Sequence, residues 1–263
     1  MGRARPGNPP LSTDRPPVAV VTGAGAGIGR QVAARLAARG YLVIATDRNG
    51  ADVELDVRDP AAHRAVAERA AKAGRLAVWV NNAGVLWVAD GWGGEDEQVR
   101  AMVEVNLLGV IHGCRAALSV MTGRADVVNL ASMAAFGPVP GLAVYAATKA
   151  AVASYTVSLA ADLRAVRSKV RVHALCPDPV DTGMVRAVAG NPKAYLQFSA
   201  PRMLAAEEVA EAAVGLVGSR RIVRSLPAWR GAVARGSGLA PRSAMPLLPV
   251  LRKIAERRAA QRP

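Results

Sequence analysis

Aromatic residues make up only 4% of this 263-residue chain, and it holds just two cysteines and three histidines. Cys114 and Cys176 stand far apart without companion ligands, so neither a disulfide framework nor a metal motif is legible. They read as reduced, buried thiols of a cytoplasmic protein. A site for single-stranded nucleic acid interleaves aromatic rings with basic residues, and the scarcity of rings speaks against one, so no nucleic-acid partner is expected. No apolar stretch follows the arginines of MGRARPGNPPLSTDRPP, which excludes a secretory leader there. The prolines of that segment suit a disordered arm over residues 1–17. The longest run without charge, 127–148, contains Asn129, Ser132, Gly137, Pro138, Pro140 and Gly141, which fits a strand and loops rather than a membrane span.

Acidic residues are also in short supply, and the net charge of +14 is unevenly placed. Residues 220–263 hold eleven lysines or arginines against the single acid Glu256, whereas 18–219 carry only about +2 in sum. A nearly neutral body with basic ends places the electrostatic partner of the chain at its tails. With 51% hydrophobic and 21% charged residues, the body is globular.

Five Val- or Ile-rich runs recur, at 18–22, 42–46, 76–80, 126–132 and 170–175, with a short sixth at 53–57. Near-continuous apolar strands of this length are buried on both faces. Helical spacing fills the intervals at 28–39, 60–73, 96–121 and 143–167. The alternation predicts an α/β fold: one Rossmann-type doubly wound parallel sheet over 18–219, helices on both faces, and ligands at the carboxyl ends of the strands. Residues 220–263 read as a basic extension, partly an amphipathic helix.

Between the first strand and the first helix lies Thr22-Gly23-Ala24-Gly25-Ala26-Gly27-Ile28-Gly29. Glycines let the backbone approach a pyrophosphate, which then sits at the positive end of the helix. The second strand ends in Asp47-Arg48. A carboxylate there accepts hydrogen bonds from the ribose hydroxyls and repels a 2′-phosphate, which points to NAD. Arg48 keeps NADP open as the alternative, since a guanidinium binds that phosphate. Asp56 and Val57 would flank the adenine, although Asp56 serves equally as a cap.

Tyr145 and Lys149 stand four residues apart, one turn on a shared helical face. Bringing a phenol from about 10 to about 7 requires roughly 4 kcal/mol of preference for the phenolate, which a nearby ammonium helps to supply. A phenol so lowered is a general acid or base at neutral pH. Ser132 follows the strand ending near Ala131, where this fold places reactive groups.

With TGAGAGIG, the run NNAG at 81–84, and Ser132 before Tyr145-x-x-x-Lys149, the chain resembles the short-chain dehydrogenase/reductase family from about residue 18 to about 185. The resemblance implies that Tyr145 exchanges a proton with the substrate oxygen and Ser132 holds that oxygen. Lys149 would bind the nicotinamide ribose and lower the phenol pKa, while Asn106 would position a water beside Lys149. Asn82, Ala83 and Gly84, with Asn81, would floor the adenosine, and Pro177, Val180 and Thr182 would meet the nicotinamide. The implied partner is a small alcohol or ketone, and the implied assembly a homodimer or homotetramer.

Two departures stand out. Asp178 occupies the place of a family glycine after Pro177, and if that place requires positive φ, cofactor binding is weakened. Leu247, Val250, Leu251 and Ile254 alternate with Arg252, Lys253, Arg257 and Arg258 at helical spacing. This suits a peripheral membrane contact, a helix packed over the protein, or a solvated tail. Met133, Phe136, Leu142, Met184 and Tyr195 are the candidate lining of an apolar substrate pocket, for a steroid, retinoid, terpenoid or other lipid-like molecule. The competing reading is a non-catalytic dinucleotide sensor or membrane-associated scaffold.

Overall fold

In the computed structural model, which describes residues 15–200 and 202–259, the apolar runs assemble into a seven-stranded parallel sheet of order β3-β2-β1-β4-β5-β6-β7. The strands are β1 (Pro17–Thr22), β2 (Leu42–Asp47), β3 (Val53–Glu54), β4 (Arg75–Asn81), β5 (Ala125–Leu130), β6 (Val170–Pro177) and β7 (Val223–Leu226). The helices α1 (Gly27–Ala38), α2 (Pro60–Ala73), α3 (Asp96–Val103), α4 (Gly109–Val120) and α5 (Ala143–Ala165) follow the predicted spans closely. Beyond β6 come α6 (Gly183–Arg186), α7 (Ala206–Val214), α8 (Ala228–Leu239), α9 (Pro241–Ala244) and α10 (Leu248–Ala259).

Successive residues of a strand face opposite layers, and the core divides accordingly. Val18 and Val20 join α2, α4 and α5 on one face, while Ala19 and Val21 pack under α1 and α7 on the other. In β4 the alternation slips. Val18 pairs with Leu76 but Ala19 with Val78, so Ala77 is an extra residue and both Ala77 and Val78 turn to the α1 side. This bulge restores Trp79 to the opposite layer, where it is fully buried.

Two boundaries differ from the sequence reading. The predicted body ended at 219, yet β7 is hydrogen-bonded to β6, so the sheet runs into the basic extension. The predicted arm ran to residue 17, but Pro17 belongs to β1 and Pro16 accepts a hydrogen bond from Arg75; most of that arm, 1–14, lies outside the described residues. The short strand expected over 53–57 is reduced to two residues, because Leu55 and Val57 turn into the core.

Among the described residues one helical stretch, Asp96–Val120, is long and apolar enough to cross a membrane. It packs instead against α2, α5 and β4, and it contains a π-helical turn over Glu104–Leu108. The polar Asn106 in that turn is fully buried within the fold.

Candidate active site

The strand order reverses between β1 and β4, and the predicted motifs converge at the carboxyl ends of the strands around that point. Thr22 closes β1 and its hydroxyl accepts hydrogen bonds from the backbone N–H of Asn82 (3.0 Å) and Ala83 (3.2 Å). The Asn82 side chain donates to the carbonyls of Thr22 and Gly23, both at 3.0 Å. These two residues therefore set the floor by binding one another. Asn81 lies deeper: it takes a hydrogen bond from Trp79 Nε1 (2.7 Å) and donates to Asn129 Oδ1 (2.9 Å), whose own amide reaches Thr156. It is a link in a buried polar chain between β4, β5 and α5, and is spent there rather than beneath an adenosine.

The glycine loop wraps the start of α1. A Cβ on Gly29 would lie 2.1 Å from the Gly23 carbonyl oxygen, so the turn closes only on glycine. α1 begins without a side-chain cap and without an acid in its first turn, whereas Asp59 caps α2 by accepting from Ala61 N–H at 2.7 Å. The first-turn N–H groups of α1 are thus left for an anion. Thr182 reaches over from the segment after β6, its methyl 3.5 Å from where a Cβ on Gly27 would stand. Ala26 is the N-cap of α1, with Ile28 beside it under the sheet.

Asp47 ends β2 with its carboxylate already oriented: Gly25 N–H donates to it at 3.0 Å and Arg48 N–H at 2.7 Å. The Arg48 side chain is exposed. Asp56 is held by Arg58, which donates to both carboxylate oxygens and keeps its pKa below the usual carboxylate range. Val57 is buried against Gly109.

The three predicted reactive groups come together as the spacing required. Ser132 follows β5 and caps a 3-10 turn, Met133–Ala135, its oxygen accepting from Ala134 N–H at 3.2 Å. Its hydroxyl donates to the Tyr145 oxygen. Tyr145 and Lys149 share one face of α5, with Lys149 Nζ 5.8 Å from the ring centre. Nζ is buried and donates to the Leu130 carbonyl at 2.8 Å. Burial pushes the Lys149 ammonium down to about 8. It pushes the Tyr145 phenol up, against a smaller opposing pull from Ser132. Lys149, turned to the Leu130 carbonyl, is not among the groups that lower the phenol in the chain alone; the depression expected from the sequence rests on the ammonium together with an oxidised nicotinamide.

Asn106 binds the loop after β4 as a strand would, accepting from Val85 N–H (2.8 Å) and donating to Val85 carbonyl (2.9 Å). It also reaches Thr148 Oγ1 at 3.4 Å, next to Lys149. Gly84 threads between: a Cβ there would stand 3.2 Å from Asn106 Oδ1 and 3.7 Å from Lys149 Nζ.

At the far side, Pro177 ends β6 and Val180 is buried beside Leu204. Among the described residues only Arg167 is a non-glycine at positive φ, so Asp178 carries no such strain and the weakening expected from it loses its ground. Asp178 is instead buried and ion-paired with Arg230 of α8, a partner that the sequence did not disclose. Its only signal was the coincidence of an unusual acid with an arginine-rich extension.

The candidate substrate residues separate. Met133 and Leu142 are buried, and Met184 is exposed. Phe136 belongs to a groove of about 450 Å³ along α5 that contains none of the catalytic set, and Arg235 stacks on its ring at 4.1 Å. Tyr195 lies under Arg252 of α10, 5.9 Å from the ring centre. Both rings are thus engaged by arginines of the C-terminal helices. The lid between β6 and α7 is closed by its own apolar cluster of Val185, Ala194 and Phe198, against which Val88, Val188 and Met203 pack. An ion pair from Lys193 to Asp90 fastens it to the loop after β4.

The sequence model of short chain dehydrogenases matches residues 17–193. The chain is 36% identical over 230 residues to the 1-deoxy-11-beta-hydroxypentalenate dehydrogenase of Streptomyces avermitilis, covering 79% of this chain and 83% of that protein. The fold is similar to that of a short chain dehydrogenase/reductase from Burkholderia phymatum solved in complex with NAD. The TM-score is 0.74 at 28% identity, covering 89% of this chain and 95% of that one. A short chain dehydrogenase from Burkholderia cenocepacia in complex with NADP gives 0.73 at 27% identity, over 87% and 95%.

Proposed function

From the premise that this chain belongs to the short-chain dehydrogenase family, we propose that it is an alcohol dehydrogenase or ketone reductase acting with NAD on an apolar substrate. The observation that carries this is the joint placement of Ser132, Tyr145 and Lys149 at the strand ends beside the uncapped start of α1.

The bound nicotinamide would supply the hydride chemistry. The chain's own residues do the rest. Ser132, with its oxygen already engaged by Ala134, donates its hydroxyl proton to the substrate oxygen and fixes it. Tyr145 Oη gives or takes the proton at that same oxygen. Lys149, held by the Leu130 carbonyl, presents an ammonium to the ribose and favours the phenolate in the transition state. Asn106 tethers the loop at Val85 beside Lys149, where a water would link the ammonium to solvent. The glycine loop with Thr182 would hold the pyrophosphate, and the lid would exclude water.

NAD is favoured over NADP because the Asp47 carboxylate, preset by two backbone N–H groups, faces the glycine loop where a 2′-phosphate would be repelled. A lipid-like substrate, of steroid, retinoid or terpenoid size, is supported by the apolar lid. A relative named as a hydroxypentalenate dehydrogenase accords with it. The reading extends to a cytoplasmic homodimer or homotetramer built on the long helices Asp96–Val120 and α5, whose Leu108 and Val157 are exposed. It also includes peripheral contact with a membrane.

The test is purified protein with NAD(H) or NADP(H) and a panel of apolar alcohols and ketones. Turnover with NAD(H) that vanishes in Tyr145→Phe is expected. Dinucleotide binding without turnover of any substrate would favour the sensor reading.

A further inference from the structure

The C-terminal layer leaves an unusual surface uncovered. Trp229 and Val233, one turn apart on α8, are 59% and 65% exposed, and Met245, Leu247 and Val250 each exceed half exposure. On α10 the packed side is marked by buried Ala255 and by Arg252 over Tyr195. Val250, Leu251 and the half-buried Ile254 form a stripe on α10 adjoining that side, continued by Leu247 in the 3-10 turn before the helix, with Lys253 and Arg257 beyond it. The nearest acid in sequence, Glu256, is already paired with Arg252 at 2.8 Å. Arg224, Arg230 and Arg235 turn inward to Ala212, Asp178 and Ser225, whereas Arg242, Lys253 and Arg257 are exposed around the apolar side chains.

From this surface we infer that α8 to α10 dock the protein on an anionic lipid bilayer, with the Leu247, Val250 and Ile254 stripe entering the headgroup boundary and Lys253 and Arg257 meeting lipid phosphates. A helix with an apolar stripe flanked by cations lies in the plane of such an interface. The same charge argues against a second copy on this face, since a two-fold contact would set Arg242, Lys253 and Arg257 against their own copies. α10 rests on the lid segment Pro192–Phe198, so the docked surface adjoins the substrate entrance. A lipid-like substrate would then enter from the bilayer side. Only that consequence rests on the proposed activity; the docking itself does not.

The experiment is co-sedimentation of the full chain with vesicles of phosphatidylcholine alone and of phosphatidylcholine with phosphatidylglycerol, without substrate or dinucleotide. Partition onto the anionic vesicles at least about tenfold above the zwitterionic ones, abolished by high salt, is expected. Lys253→Glu/Arg257→Glu should reduce that partition about tenfold or more, and Leu247→Ser/Val250→Ser should do likewise. All four positions lie outside the site, so dinucleotide affinity should not change. Equal partition onto both vesicle types overturns the inference, as does binding insensitive to both pairs of substitutions. A salt-resistant dimer that buries Val250 also overturns it, assigning the face to a second copy. Because the parent protein's dependence on lipid charge and salt is read without any variant, a misfolded variant leaves the test intact. Vesicle binding and turnover are measured separately, so failure of one does not imply failure of the other.

Discussion

Arg230 of α8 stands 2.5 Å from Asp178, a carboxylate that is 5% exposed at the end of β6. The unusual acid after β6 and its counter-charge in the C-terminal extension therefore belong to one device. Burial pushes the Asp178 pKa up and Arg230 opposes that. Arg230→Ala should destabilise the fold by roughly 3 kcal/mol at neutral pH, because it leaves a buried charge unpaired. The deficit should shrink at acid pH, where the carboxyl takes up a proton, and Asp178→Gly/Arg230→Ala should recover most of it. Urea melts of the three variants decide; independent, additive losses would show that the pair does not act as a unit.

Lys149 carries opposing demands. Its ammonium serves the chemistry, yet burial lowers it from 10.5 to about 8. Below pH 8 the folded chain holds a desolvated charge, and the stability so lost returns as pH rises from about 8 towards the unfolded value. Lys149→Met should therefore stabilise the fold by roughly 1 to 3 kcal/mol near pH 7 while abolishing turnover. Thermal melts beside activity assays check both halves.

His63 predicts acid sensitivity. It is fully buried beside Trp79, its Nε2 bonds to the Val57 carbonyl at 3.0 Å, and its Nδ1 has no partner. Burial brings its pKa from 6.5 to about 4. The unfolded chain then binds the proton more readily, so stability is complete above about 6.5 and falls as pH drops towards 4, by on the order of 3 kcal/mol. In His63→Leu that part of the slope should disappear from melts taken across the same range.

Gly113 marks where α4 crosses the buried polar chain. A Cβ there would lie 2.0 Å from Asn81 Oδ1 and 2.9 Å from Trp79 Nε1. Gly113→Ala should cost several kcal/mol, on the order of 3 or more, by overpacking and by breaking the Trp79 to Asn81 bond. A melt unchanged from the parent would remove this account.

Asp47→Ser should shift preference towards NADP by about tenfold or more, since it removes the charge that repels a 2′-phosphate and leaves Arg48 to bind it. Ratios of kcat/KM for the two dinucleotides measure it.

The sheet, the glycine loop and the Ser132, Tyr145 and Lys149 set were legible because each is local: strand apolarity, a tight turn, a one-turn spacing on α5. Features made by distant contacts were not. β7 was lost because its four residues include Arg224 inside a basic run, and only pairing with β6 reveals it as a strand. Phe136 is four residues from Ser132 yet faces the groove with Arg235, since a 3-10 turn lies between them. Asn81 and Asn82 are adjacent, but strand alternation sends one into the core and the other to the loop.

α8 touches the serine turn directly: Arg235 covers Phe136, and a Cβ on Gly238 would meet the Phe136 carbonyl at 2.0 Å. The match to the sequence model of short chain dehydrogenases ends at residue 193, before this helix begins. A truncation or chimera cut at that limit would sever the wedge packed on the turn that follows Ser132. The segment beyond that match is thus joined to the Ser132 turn, and the two must be exchanged together in any transplant of the site.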